Sequence, residues 1–464
     1  MRDPGSDQIT VYGGRRLRGA ITVPGFKHSL VAAVAAAAAA DAPLRLRNCP
    51  AVEEPVVLSV VLRQLGGHAE LAGETLTIDA RGIGIGIGTG TGTGNGASEP
   101  PRMSESDFSR IHGSTYLFPA LLGRFGSIQM LKAGGCRIGA NSTGQRPTSH
   151  YIEVFRRFGA QSREQADGVV IRAGRLRGTT IDMTDFMSDP VLRTGPLYSG
   201  ATKAALLTAA MAHGASIVRS PYPKPDVTEL VTVLRALGVV IERTRDGAYA
   251  VEGCGGPLPG PAAEHLLICD LISVVTWICA AALLADEPLT ITGARMADAR
   301  LALAPELDVL DAMGVRTEWH ETTCVVHPAE DLRPVDVLAA SHGVFSDSQP
   351  LLALLSALAP GRSSVRDTVW TGRFTYAEGL AAIGMNVQVN ESRLSVIGPW
   401  RPREAVGPLK ALDLRAAAAL LLGALAVPGK TVLTGMRHLA RGYPDLPGDL
   451  ARLGADIETS SPCP

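Results

Sequence analysis

Six stretches of this chain are apolar on every side, and the same succession of signals follows each one. They span 29–40, 114–123, 200–212, 272–285, 348–358 and 415–426. Ala and Leu dominate them, which favours closely packed helix. A helix without a polar face is central rather than superficial. A turn follows each stretch (DAP, FG, HG, DEP, PG, PG), then a β-like run such as SIVRS, LTITG or TVLTG. A more amphipathic helical segment comes next and ends on an apolar residue plus Gly, in the contexts LRQLGG, FRRFGA, LRALGV, LDAMGV, LAAIGM and LARLGA. These glycines are Gly66, Gly159, Gly238, Gly314, Gly384 and Gly454, in steps of 93, 79, 76, 70 and 70 residues. Each suits a left-handed helix terminus. A further strand follows, for example VVIERT or ADIET. Spacing of this kind marks a repeated supersecondary unit. Helices must cover sheets, so the fold class is α/β, with six repeated units, three in each of two domains.

The length of 464 residues agrees with two domains. The Gly-rich insertion, about 82–100, lengthens the first step and reads as a flexible surface linker. Its GxGxxG-like matches lack the strand-turn-helix context of a dinucleotide fold. A net charge of -1 gives no basic footprint for nucleic acid. The apolar runs are too short to span a bilayer, and the N-terminus lacks an apolar signal region. Seven cysteines without a CxxC pair or zinc spacing predict reduced thiols in a cytoplasmic protein, with no metal and no cofactor. Cys269 and Cys279 read as buried and inert, whereas Cys136, in KAGGCRIGA, reads as a reachable loop thiol.

Charge changes the picture at the N-terminal ends of the apolar stretches. Lys27 and His28 precede the first, His112 the second, Asp270 the fourth and Asp347 the fifth, while Asp413 and Arg415 open the sixth. Taken singly, each reads as a solvated charge or a cap. Basic groups at helix N-termini oppose the dipole, however, and an anionic ligand relieves that conflict. Together with Arg441 they predict a site for a small substrate bearing phosphate and carboxylate.

The chain resembles the enolpyruvyltransferases, most closely UDP-N-acetylglucosamine enolpyruvyltransferase of cell-wall synthesis. The motifs are PGFKHS at 24–29, RFGSIQMLKAGGCRIGA at 124–140, RP at 146–147, SGAT at 199–202, FSDSQ at 345–349, GRF at 372–374, DLRA at 413–416 and RGY at 441–443. The resemblance implies an inside-out α/β barrel in each domain, with helix N-termini at the interdomain cleft. The domains expected are 21–258, carrying the Cys136 loop, and 259–464 joined by the returning segment 1–20. It also implies transfer of the enolpyruvyl group of phosphoenolpyruvate to a substrate hydroxyl, with release of phosphate. Carried over by position, Lys27, Arg146, Arg415 and Arg441 hold phosphoenolpyruvate, with His112 beside them. Cys136 protonates the methylene carbon and is the expected point of fosfomycin attack. Asp347 takes the hydroxyl proton, and Asp413 serves the tetrahedral intermediate or orients the cations.

Four departures fall around the acceptor. The family's Lys-Asn pair is Lys27-His28, its helix-two Arg is His112, an insertion precedes Arg146, and its nucleotide-binding segment reads Pro196-Leu197-Tyr198-Ser199-Gly200. The acceptor residues implied are His28, Arg146, Pro147, Thr148, Ser149, Tyr198, Ser199, Gly200 and Asp347. Altered acceptor contacts beside conserved donor contacts resemble the enolpyruvyltransferases of nikkomycin- and polyoxin-type pathways, which act on the 3′-hydroxyl of UMP. The alternatives are the cell-wall enzyme and a non-catalytic nucleotide-binding relative.

Overall fold

The computed structural model describes residues 7–84, 104–131, 134, 147–165 and 168–459. Cys136, Arg146 and the Gly-rich insertion beyond Gly84 lie outside the described residues. The chain forms two compact units. One contains the described residues 26–134 and 147–267, and the other 7–25 and 268–459.

Each unit is built on three central helices. In the first unit these are Lys27–Ala39, Phe118–Phe125 and Tyr198–Met211. In the second they are Leu271–Leu284, Gln349–Ser356 and Leu414–Ala426. Every residue of Leu271–Leu284 is buried, and so is every residue of Lys27–Ala39 after His28. The all-apolar pattern requires such burial, because no face of these helices gains from water. The second apolar stretch does not start as α-helix. Residues His112–Leu117 form a 3-10 turn, in which Thr115 Oγ1 donates back to the His112 carbonyl at 2.9 Å, and Pro119 then sits in the first turn of the helix proper.

Three sheets cover the helices of each unit, and five of the six share one pattern. An edge strand runs parallel to the strand that follows the central helix, and two antiparallel strands complete the sheet. One example runs Ala263–Leu266, Leu44–Arg47, Thr75–Asp79, His68–Ala72. Leu44–Arg47 alternates buried and exposed residues, as a sheet with one covered face demands. In the sixth repeat the strand beside Gly429–Thr434 is Gln8–Gly13, which also pairs with Asp456–Thr459. The N-terminal segment therefore closes the last sheet of the second unit. All six repeated glycines have left-handed backbone, from φ 85° at Gly238 to φ 111° at Gly454.

The units part at 25/26 and 267/268, a few residues beyond the 20/21 and 258/259 expected. Strand pairing explains the shift. Ala20–Val23 lies parallel to Leu289–Gly293 in the second unit, and Ala263–Leu266 lies parallel to Leu44–Arg47 in the first.

Candidate active site

In the first unit, the Lys27–Ala39 helix begins with no side-chain cap and no acidic residue in its first turn. Its N–H groups and dipole leave a positive end, and Lys27 adds a cation there. The ammonium of Lys27 lies 3.2 Å from Glu54 Oε1. Glu54 is buried in the first turn of Glu53–Gln64, and its Oε2 has no hydrogen-bond partner among the described residues. The pair orients Lys27 while leaving part of the carboxylate unsatisfied.

Two of the acceptor candidates of this unit, His28 and Ser199, lie beside a second, deeper pair. Lys203 is 1% exposed and meets Asp226 Oδ2 in an ion pair, and Ser199 Oγ donates to the same oxygen at 3.2 Å. Ser199 and Lys203 stand one turn apart on the Tyr198–Met211 helix, so both reach Asp226 from one face. The ammonium also lies 4.8 Å from the centre of the Tyr116 ring, which meets the His112 imidazole edge-on at 6.2 Å. Burial alone would raise the Asp226 carboxyl, but Lys203 and then His28 outweigh it and hold Asp226 below the usual carboxylate range. His28 and His112 are half-buried, as are Pro147 and Thr148, and Ser149 is exposed. Gly200 is required where it stands, because a Cβ there would lie 2.5 Å from His150 Nε2.

Tyr198 departs from its expected role. Its side chain is fully buried, and its hydroxyl donates to the carbonyls of Ser220 and Pro221 at 2.8 and 3.0 Å. The ring braces the turn beneath the helix rather than offering itself to a ligand.

His150 lies under the helix start and is also buried, with Nδ1 lacking a hydrogen-bond partner among the described residues. Burial, then the Lys203 charge, pushes its pKa down to about 4. The unfolded imidazole takes up its proton near 6.5, so stability is full above that pH and declines as pH falls towards 4. The decline attributable to His150 is about 3 kcal/mol. Urea unfolding of native protein and His150→Gln between pH 7 and 4.5 checks this: the pH dependence should be shallower in the variant.

In the second unit, Asp347 sits in the turn before Gln349–Ser356 and is held by two guanidiniums. Arg373 Nη1 donates to Oδ1 at 2.6 Å, and Arg415 Nε donates to Oδ2 at 3.3 Å. Arg373 also donates to Ser346 Oγ at 2.9 Å, and its carbonyl accepts from Gln349 Nε2 at 2.8 Å. Arg415 is 1% exposed and lies over the Tyr443 ring at 5.1 Å, and Tyr443 shares a 2.7 Å hydrogen bond with Thr276. Burial opposes the charge of Arg415, but Tyr443, Asp347 and Asp270 raise its pKa and keep it cationic. Arg415 Nη1 and Arg373 Nε are buried without hydrogen-bond partners among the described residues. Such orphaned donors carry a desolvation cost that a bound anion would offset.

Asp413 is fully engaged as the cap of the last central helix. Its Oδ1 accepts from the N–H groups of Arg415 and Ala416 at 2.9 and 3.0 Å, and its Oδ2 accepts from Thr375 at 2.8 Å. It therefore fixes the backbone from which Arg415 projects. Asp270 is likewise a cap, accepting from Ser273 N at 2.8 Å. Arg441 ends the 3-10 turn Met436–Arg441 and is half-buried.

The second unit thus brings Asp347, Asp413 and Arg415 together, and the first unit brings His28, Ser199 and Gly200 together. Glu54, Lys203, Asp226 and Arg373 belong to these clusters and were not among the sequence candidates. Burial pushes the Cys269 and Cys279 thiols up to about 12, as expected of inert core cysteines. Among the described residues, no group of three or more His, Cys, Asp or Glu is placed to hold a metal ion. No helix among them is long and apolar enough to cross a membrane.

Comparison with known proteins identifies the family. Residues 120–450 match the family of EPSP synthase (3-phosphoshikimate 1-carboxyvinyltransferase). UDP-N-acetylglucosamine 1-carboxyvinyltransferase 2 of Geobacillus kaustophilus is 30% identical, with 97% of this chain and 96% of that protein covered. The enolpyruvyl transferase NikO from Streptomyces tendae is 46% identical and superposes with a TM-score of 0.89, over 98% of this chain and 99% of that one. An EPSP synthase from Acinetobacter baumannii, 19% identical with a TM-score of 0.69 over 97% and 99% of the two chains, shares the fold. The family match over residues 120–450 and the near end-to-end identity to these relatives place this chain in the enolpyruvyltransferase family, as a carboxyvinyl transferase.

Proposed function

We propose that the chain transfers the enolpyruvyl group of phosphoenolpyruvate to a hydroxyl of a uridine nucleotide, the 3′-OH of UMP, in nucleoside-antibiotic biosynthesis. Lys27, Arg146, Arg415 and Arg441 take the phosphate and carboxylate of the donor, with His112 beside them. Asp347 accepts the acceptor's hydroxyl proton as its oxygen bonds to C2 of phosphoenolpyruvate, while Cys136 delivers a proton to the methylene carbon. Loss of that added proton and of phosphate from the tetrahedral adduct regenerates the vinyl group. Asp413 holds Arg415 in place throughout. His28, Pro147, Thr148, Ser149, Ser199 and Gly200 face the acceptor.

The observation that carries the choice of acceptor is the cluster beneath Ser199. His28 stands where the cell-wall enzymes resembled above have Asn, and a buried Lys203–Asp226 pair lies behind it. The greater identity to NikO than to the cell-wall relatives supports the same choice. A phosphate-release assay tests it: phosphoenolpyruvate should turn over with UMP and not with UDP-N-acetylglucosamine. The reverse dependence would return the chain to the cell-wall activity.

A further inference from the structure

Lys203 is the only charged side chain in the six central helices that lies beyond the first turn and before the last. Its helix is otherwise apolar from Ala204 to Met211, apart from Thr208. A buried ion pair is a poor source of stability, because desolvation offsets the attraction and apolar residues of similar size serve as well. A charge in this place calls for another reason, and its contacts supply one. Lys203 and Ser199 converge on a single oxygen of Asp226. The Ser199 hydroxyl has one proton, and Asp226 receives it. The lone pairs of Ser199 Oγ are then what the half-buried serine presents outwards.

We infer that Lys203 and Asp226 are positioning residues that fix the hydrogen-bond polarity of Ser199, making it an acceptor that selects a hydroxyl or imide N–H of the nucleotide and disfavours a phosphate oxygen. The inference rests on the uridine-nucleotide reading and deepens it. Lys203 is needed because Asp226, without its cation, would be a buried and uncompensated carboxylate. Tyr116, packed against the ammonium, ties the pair to the 3-10 turn that begins at His112. The ribose 2′-hydroxyl and the uracil N3–H are the two donors of UMP, besides the reacting hydroxyl, that can meet such an oxygen.

The test is the neutral double variant Lys203→Met with Asp226→Asn, which leaves no orphaned charge and whose amide can donate to Ser199 and reverse its polarity. Steady-state kinetics should show KM for UMP raised at least tenfold, with KM for phosphoenolpyruvate and kcat at saturating UMP changed less than threefold. A merely structural loss would not divide the constants in this way. Ser199→Ala alone should raise KM for UMP about as much, and adding it to the double variant should add less than twofold. This arm leaves the pair intact, so it stands even where the double variant folds poorly. With native protein, either 2′-deoxy-UMP or 3-methyl-UMP should bind at least tenfold more weakly than UMP, and that preference should vanish in Ser199→Ala. An unchanged KM for UMP in Ser199→Ala, or equal binding of both analogues, overturns the inference while native turnover with UMP upholds the functional reading. Failure of native protein to turn over with UMP overturns both.

Discussion

Asp347→Asn should lower kcat by about a thousandfold while leaving KM for phosphoenolpyruvate unchanged or lower. The magnitude follows from loss of a positioned general base, an effect of roughly 10²–10⁴. The direction of KM follows from geometry. Arg415 Nε now donates to Asp347 Oδ2 at 3.3 Å, so the carboxylate competes with any anion for that guanidinium. A neutral amide competes less and cannot take a proton. The fold should persist, because Asn retains one acceptor oxygen for Arg373, although the melting temperature should fall as two buried cations lose their counter-charge. A kcat within tenfold of native would remove Asp347 from proton transfer. In the proposed mechanism an anionic donor would compete for Arg415 and free Asp347 Oδ2 for the hydroxyl proton.

Arg415→Lys should lower kcat/KM for phosphoenolpyruvate by about 10²–10³, the scale set by loss of one well-placed charge-stabilising donor. Charge is conserved, so the loss measures shape. The guanidinium lies over the Tyr443 ring, engages Asp347 through Nε and keeps Nη1 without a protein partner among the described residues. A lysine ammonium is a point charge and cannot serve all three directions. Thermal unfolding of Arg415→Lys should stay closer to native than that of Arg415→Met, which removes one of the guanidiniums paired with Asp347. Retention of kcat/KM within threefold would show that only the charge matters.

The architecture was legible because its signals are local and repeated. An all-apolar stretch and a left-handed glycine six times over specify central helices and their outer partners without any long-range information. Charges at helix starts were legible for the same reason, and Asp270 and Asp413 took the capping role that their positions suggest. What escaped was pairing across the fold. Asp226 lies 23 residues from Lys203, on another helix, and no periodicity links them. The lysine itself was a usable signal: a charge amid Ala201–Ala212 must be buried, and a buried charge needs a partner. Arg373 was visible in GRF, but only the fold joins it to Asp347. Tyr198 misled because a helix-start position does not say which way a side chain turns, and its hydroxyl turned towards two carbonyls.

The order of the strands in the last sheet has a consequence for synthesis. Gln8–Gly13 leaves the ribosome long before both of its neighbours, Gly429–Thr434 and Asp456–Thr459, and Asp7 contacts Arg437 across 430 residues. At about 5–20 residues per second the strand waits roughly 20–90 s for a partner. The unit spanning residues 26–267 meets no such delay and can be complete while the other is still being made. Nascent chains stalled near residue 300 should therefore resist protease over the described residues 26–84, 104–131, 147–165 and 168–267, while residues 7–25 are trimmed.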